Sequence, residues 1–232
     1  AQKIKKLENA VIIPSIGGKD QENTVDRIFS LLPDTRHLVV VSGDGPLDRN
    51  YLENTKRAIA SSKRVTKVSY LLGLPLDELL KRVSSLATDT AILFTTYERD
   101  KNGKKQNHTD VGVRLALRAN APVFSYVESL IGNGIVGGST SSTELYGKKA
   151  AEVALRLLKG EQPAEISPKK QIPIDVYDGR ARKRWNISED RLPPGSQVRY
   201  KTVTLWETYK VHIIIGITVI CLESILIFAL FV

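Results

Sequence analysis

Hydrophobic and polar positions along the first 170 residues alternate between two periods. Short β-branched runs are separated by stretches in which apolar side chains recur every three or four positions, the pattern of strands threaded through crossover helices. Residues 10–14 (AVIIP) form a first short apolar run. Over residues 20–32, Val25, Ile28, Phe29 and Leu32 share one helical face, and Pro33 ends it. Residues 36–42 (RHLVVVS) read as the clearest buried strand, followed by the turn Gly43-Asp44-Gly45-Pro46 and a polar helix over 48–62. A second strand is predicted over 65–72. Pro75 suits the first turn of a helix whose face is Leu76, Leu79, Leu80, Val83 and Leu86, and 90–97 (TAILFTTY) returns as a strand. A polar loop over 98–107, a helix over 110–119 and a strand over 122–127 (PVFSYV) follow. The glycine-rich stretch 132–139 leads into a long helix, with Ser141 and Glu144 in capping-box spacing at its start and Gly160 at its end. Four strands with helices between them imply an α/β fold, a doubly wound and mainly parallel sheet.

From Ser167 the pattern changes. Residues 171–177 can form one more strand. The segment 178–201 holds seven Lys+Arg against three Asp+Glu together with Pro193-Pro194-Gly195, which predicts a short helix and an extended connector, not a second domain. Trp206 and Tyr209 then precede the run 211–232 (VHIIIGITVICLESILIFALFV), whose clearly polar positions are His212, Thr218, Glu223 and Ser224. That run has the length of a membrane span, and amphipathic rings before it favour the membrane interface. The expected organisation is a ligand-binding lobe over 1–168, a return strand and basic connector over 169–209, and a transmembrane helix over 210–232.

Charge adds one point. The net charge is 34 − 25 = +9, and the 178–201 segment alone contributes 7 − 3 = +4, so nearly half of the excess sits next to the apolar run. The remaining cations are dispersed, as at Lys3, Lys5, Lys6 and 101–105, without interleaved aromatic residues or a helix pair that reads DNA, so no nucleic-acid partner is expected. Arg180, Arg182, Lys183 and Arg184 suit anionic lipid headgroups as a secondary partner. One Cys and three unclustered His exclude a disulfide scaffold and give no zinc motif. The chain starts at Ala and contains no Met, which suggests a mature or excised piece.

Three stretches together resemble a known family. They are LPDTRHLVVVSGDGPLDRNYL (32–52), APVFSYVESLIGNGIVGGSTSSTELYGKKAAEVALRLLKGEQPAEI (121–166), and IDVYDGRARKRWNISEDRLPPGS (174–196) followed by LWETYKVHIIIG (205–216). The chain is similar to the extracytoplasmic sensor region of bacterial membrane-bound sensor histidine kinases, whose input domain is related to the substrate-binding proteins of ABC transporters, with the type I periplasmic-binding fold. The continuation into an apolar helix is the most specific part of the likeness. Such proteins carry two lobes, so the resemblance implies that the second lobe, the return segment and the membrane helix are present, with most of the first lobe and the kinase module outside the sequence. It further implies a small-molecule solute as partner, and a place in the bacterial inner membrane with the globular part in the periplasm. A tethered binding component of an ABC importer is the alternative.

Ligands of open α/β sheets bind outside the carboxyl ends of the strands. That rule selects Ser42, Asp44 and Asp48 after the first strand, Tyr97 after the third, and Glu128 and Ser129 after the fourth, a set suited to a small polar or aromatic solute. The competing reading is a plain turn at Asp44-Gly45-Pro46 with Asp48 capping the next helix. Residues 132–137 match G-x-G-x-x-G, the dinucleotide pattern. Four residues separate the motif from the strand, and no acidic residue closes a following strand, so a hinge or tight turn crossing between lobes is the favoured use. No nucleophile lies beside a base, and His37, His108 and His212 read as structural or solvated, so neither enzymatic catalysis nor a cofactor is expected. Glu223 falls near the middle of the apolar run, where an ionised carboxylate costs a few kcal/mol. It is expected to be protonated and unpaired, or paired with a second copy's helix in a homodimer.

Overall fold

The computed structural model describes residues 10–13, 18–64, 67–167, 172–202 and 205–231. The chain forms two compact units, residues 1–200 and 201–232. In the first unit seven strands make one sheet in the order β2-β1-β3-β4-β5-β6-β7. β1 (His37–Ser42), β2 (Lys67–Leu72), β3 (Thr90–Phe94), β4 (Val123–Phe124) and β5 (Gly137–Thr140) run parallel. β6 (Ile174–Asp178) is antiparallel to β5, and β7 (Gln197–Arg199) is parallel to β6. The helices are α1 (Lys19–Leu31), α2 (Pro46–Ser61), α3 (Leu76–Val83), α4 (His108–Arg118), α5 (Thr143–Leu158) and α6 (Gly179–Arg184).

β1 shows why its sequence reads as a continuous apolar run. Leu38 and Val40 pack on one face of the sheet with Val25 and Ile28 of α1 and Leu52 and Ile59 of α2. Val39 and Val41 pack on the other face with Leu79 and Val83 of α3 and Val111 and Leu115 of α4. A strand covered on both faces has no polar side to alternate with, which is the doubly wound arrangement.

Three features differ from the sequence-based expectation. The glycine-rich stretch holds more than the expected tight turn: Gly132 and Gly134 take positive φ in a turn, and Gly137 and Gly138 then enter the sheet as β5. Without Cβ atoms the strand lies close to its neighbours, and Thr24 of α1 accepts from the Ser139 amide and donates to the Ser139 carbonyl. The helix cap is Ser142, which accepts from the Leu145 amide, while Ser141 donates to Asp20 at 2.7 Å. The basic connector, finally, is folded into the lobe and adds β7 to its sheet. Asp178 caps α6, Arg182 is 8% exposed and donates to the Ile187 carbonyl and Glu189, and Arg184 donates to the carbonyls of Ala116 and Ala119. Arg182 is thereby buried in the lobe, while Arg180, Lys183 and Arg184 stay exposed.

The second unit holds α7 (Leu205–Phe231), 27 residues with a break in helical geometry at Tyr209. The Thr218 and Ser224 hydroxyls close back on the carbonyls of Ile214 and Ile220. Among the described residues no helix is long and apolar enough to cross a membrane. The side chains at 205–208, Trp206 among them, and at 226, 228 and 230–232, and Lys3, Lys5 and Lys6, lie outside the described residues.

Candidate functional site

The carboxyl ends of β1, β3, β4 and β5 open on one side of the sheet, and a cleft of about 310 Å³ lies there. The N-terminal parts of α1, α2 and α5 supply Asp20, Leu47, Tyr51, Thr143 and Tyr146. The segments leaving β3, β4 and β5 supply Thr96, Glu98, Tyr126, Glu128, Ser129 and Ser141.

The predicted residues divide. Glu128 and Ser129 line the cleft. Ser42, Asp48 and Tyr97 do not: all three are fully buried. Asp48 accepts from the Gly45 amide at 2.9 Å, from the Thr96 hydroxyl at 2.7 Å, and from the Glu98 amide through both oxygens. Ser42 donates to the Asp48 carbonyl at 3.4 Å, and Tyr97 to the Leu74 carbonyl. These groups fix the shape of the loops and are withheld from a ligand by their own partners. Asp44 is on the surface, 3.1 Å from Arg49, outside the cleft lining. Sequence reasoning missed the tyrosines. Tyr51 and Tyr126 stack with centroids 6.0 Å apart and planes 16° apart, and Tyr146 adds a third ring. The available signal was positional, since the N-terminal part of each helix and the segment leaving each strand face the same end of the sheet.

Burial pushes the Tyr51 and Tyr126 phenols up, so both keep their protons at neutral pH and act as hydrogen-bond donors over an apolar face. The Tyr126 hydroxyl lies 3.2 Å from that of Thr55. Three carboxylates, Asp20, Glu98 and Glu128, line the cleft, and no Lys or Arg does so among the described residues. The surface therefore suits a ligand with a flat ring and a positive group.

Burial raises the pKa of Glu128, but the Thr143 amide and the Arg199 guanidinium outweigh it and hold the carboxyl below its ordinary 4.5. A depressed carboxyl stabilises the fold fully above its unfolded pKa, and that contribution is lost as pH falls through the folded one. The urea midpoint of the wild type is therefore expected to exceed that of Glu128→Gln at pH 7 and to converge on it in acid, as pH falls past the ordinary carboxyl range and through the lowered folded value. A gap of equal size at pH 7 and in acid would contradict this account.

No family model matches the chain, and no curated protein matches it. Solved structures do. A conserved domain protein from Vibrio cholerae is 18% identical with a TM-score of 0.58, over 77% of this chain and 60% of that one. A ligand-free, open substrate binding protein with adhesive properties from Clostridium difficile is 15% identical with a TM-score of 0.59, over 77% and 59%. An ABC domain in complex with L-Trp from Streptococcus pneumonia is 15% identical with a TM-score of 0.57, over 77% and 60%. The chain shares the fold of these structures, one of which is a substrate binding protein. The chain spans about three fifths of the length of these structures.

Proposed function

We propose that the chain is the solute-binding lobe of a membrane-anchored receptor, in which closure around a small aromatic cation or zwitterion is relayed through α7 to a cytoplasmic output module, as in a two-component sensor kinase. The observation that carries this reading is the acidic, tyrosine-lined cleft at the carboxyl ends of a parallel sheet, in a chain that goes on into α7. One solved structure of the same fold is a complex with L-Trp, a ring bearing an ammonium group, which supports that class of ligand. α5 supports a partner lobe: Val153 is its one buried residue, while Leu145, Leu155 and Leu158 face solvent. A second lobe closing on the cleft gives the two-state element through which differential binding transmits a signal.

In this reading α7 spans the bacterial inner membrane with the lobe outside the cytoplasm. The support for a span is the apolar run 211–232 in the sequence, which has membrane-span length and part of whose side chains lie outside the described residues. Glu223 then pairs with a second copy's helix, making the receptor a homodimer, and the reading assigns no catalytic step or cofactor to these residues. The tethered component of an ABC importer is the second reading, favoured by the ABC domain among the similar folds. The reading frame beyond Val232 separates the two.

The test is thermal unfolding of the chain in membrane vesicles against a panel containing L-tryptophan, tryptamine and indole-3-acetate. At a hundred times its Kd a ligand adds about 2.7 kcal/mol, a rise of roughly 5–10 °C. Such a rise is expected with L-tryptophan or tryptamine, reduced in Tyr51→Ala and Tyr126→Ala, and absent with indole-3-acetate. A folded chain indifferent to the whole panel overturns the ligand reading. Release of the chain from vesicles by alkaline carbonate overturns the span.

A further inference from the structure

Resting on that solute-binding reading, we infer that the Glu128 carboxylate passes occupancy of the cleft to the segment by which the chain leaves the lobe. Glu128 stands where three elements meet. One oxygen accepts from the Thr143 amide, in the first turn of α5, at 2.7 Å. The other accepts from the Arg199 guanidinium, on the last residue of β7, at 2.9 Å. The same side chain lines the cleft. It is 14% exposed and the Arg199 side chain 39%, so the pair is shielded but reachable.

β7 has few other attachments. It is an edge strand with three paired positions, Gln197 to Val176, Val198 to Tyr177 and Arg199 to Asp178. The next residue, Tyr200, is held at φ +55°, in the left-handed region that side chains rarely adopt. Its ring lies under the Arg180 guanidinium at 4.9 Å, and Arg180 is itself tied to Asp178 and to the Gly132 carbonyl. Residue 201 opens the second unit, and α7 starts at Leu205.

The two partners of Glu128 are unequal. The Thr143 amide belongs to a helix backbone and leaves only if the first turn of α5 unwinds, whereas Arg199 is a long side chain on an edge strand. A cation entering the cleft at Glu128 therefore competes with Arg199. Once Arg199 is displaced, β7 is held by a short edge ladder, the kind of element that opens at low cost, and Tyr200 is free to leave its strained backbone state. The empty cleft keeps β7 docked and the occupied cleft releases it, so the segment leading to α7 has two states that a ligand biases through one carboxylate.

Hydrogen exchange at residues 197–200 of the full chain in detergent tests this without a solute. Glu128→Gln and Arg199→Gln each remove one end of the pair. Ser129→Lys places an ammonium group beside Glu128 as the stand-in for a bound cation, with Ser129→Gln as its neutral control. Exchange at 197–200 is expected to quicken about tenfold in the first three variants and to stay at the wild-type rate in Ser129→Gln. Protection in β1 reports whether each variant is folded. Should Ser129→Lys fail that check, Glu98→Lys supplies the ammonium from another lining position. Wild-type protection of β7 in folded Glu128→Gln, or equal exchange in the lysine variant and its control, overturns the coupling. The solute panel on the wild type is read separately: binding with an unresponsive β7 sinks the coupling alone, and no binding sinks the solute reading.

Discussion

Asp48→Ala is expected to remove about 3–5 kcal/mol of stability and to lower the thermal midpoint by roughly 10 °C or more. The carboxylate is wholly buried, and donors from Gly45, Thr96 and Glu98 converge on it. Removing it strands those donors in a place water does not reach, the costly half of any buried hydrogen bond. The carboxylate is packed so closely that a Cβ on Gly43 would collide with it. Asp48→Asn keeps the volume but turns an NH2 group toward N–H donors, and a smaller loss is expected. Asp44→Ala, whose carboxylate pairs with exposed Arg49, is expected to leave the midpoint unchanged. Urea denaturation of the three variants measures the contrast, and equal midpoints for Asp48→Ala and the wild type would refute the account.

Gly137→Ala should be nearly as damaging, at about 3 kcal/mol or more. Gly137 has φ +135° and pairs with Phe124 on one side and Tyr177 on the other, and a Cβ there would strike the Val176 carbonyl and the Tyr177 backbone. Backbone atoms in the middle of a sheet cannot swing aside as a flexible side chain does. Gly134→Ala is the control: its φ is +88°, but the one atom near its Cβ is the Ala116 methyl, so only the conformational penalty applies. Loss of β5 would also carry away Ser141 and the start of α5, so Gly137→Ala is expected to abolish any ligand response. A Gly137→Ala protein as stable as Gly134→Ala would show that β5 does not lie as described.

What could be read from the chain follows from how each element earns its burial. β1 and β3 lie in the middle of the sheet with both faces covered, so HLVVVS and TAILF show themselves by composition. β5 is built from GGST and β7 from QVR, with no apolar run at all, because one is defined by close approach and the other by an edge. The strand-end rule pointed to the end of the sheet where the cleft lies, and Glu128 and Ser129 are in its lining. Ser42, Asp48 and Tyr97 are buried outside that lining, because residue type cannot tell a carboxylate aimed at a ligand from one that closes its own loop. Tyr51, Tyr126 and Tyr146 come from two helices and a strand end that are far apart in the chain, and only the folded sheet brings them to one cleft.

The strand order has a consequence for how the protein is made. Starting from β1, every later strand except β3 is laid down beside its predecessor in the order of synthesis, and β3 joins the free edge of β1. A ribosome or translocon delivering the chain from its N-terminal end thus presents each strand to an edge that already exists, and no strand has to wait for a later one to be inserted between it and its neighbour. The final edge, β7, joins last, immediately before the α7 segment emerges.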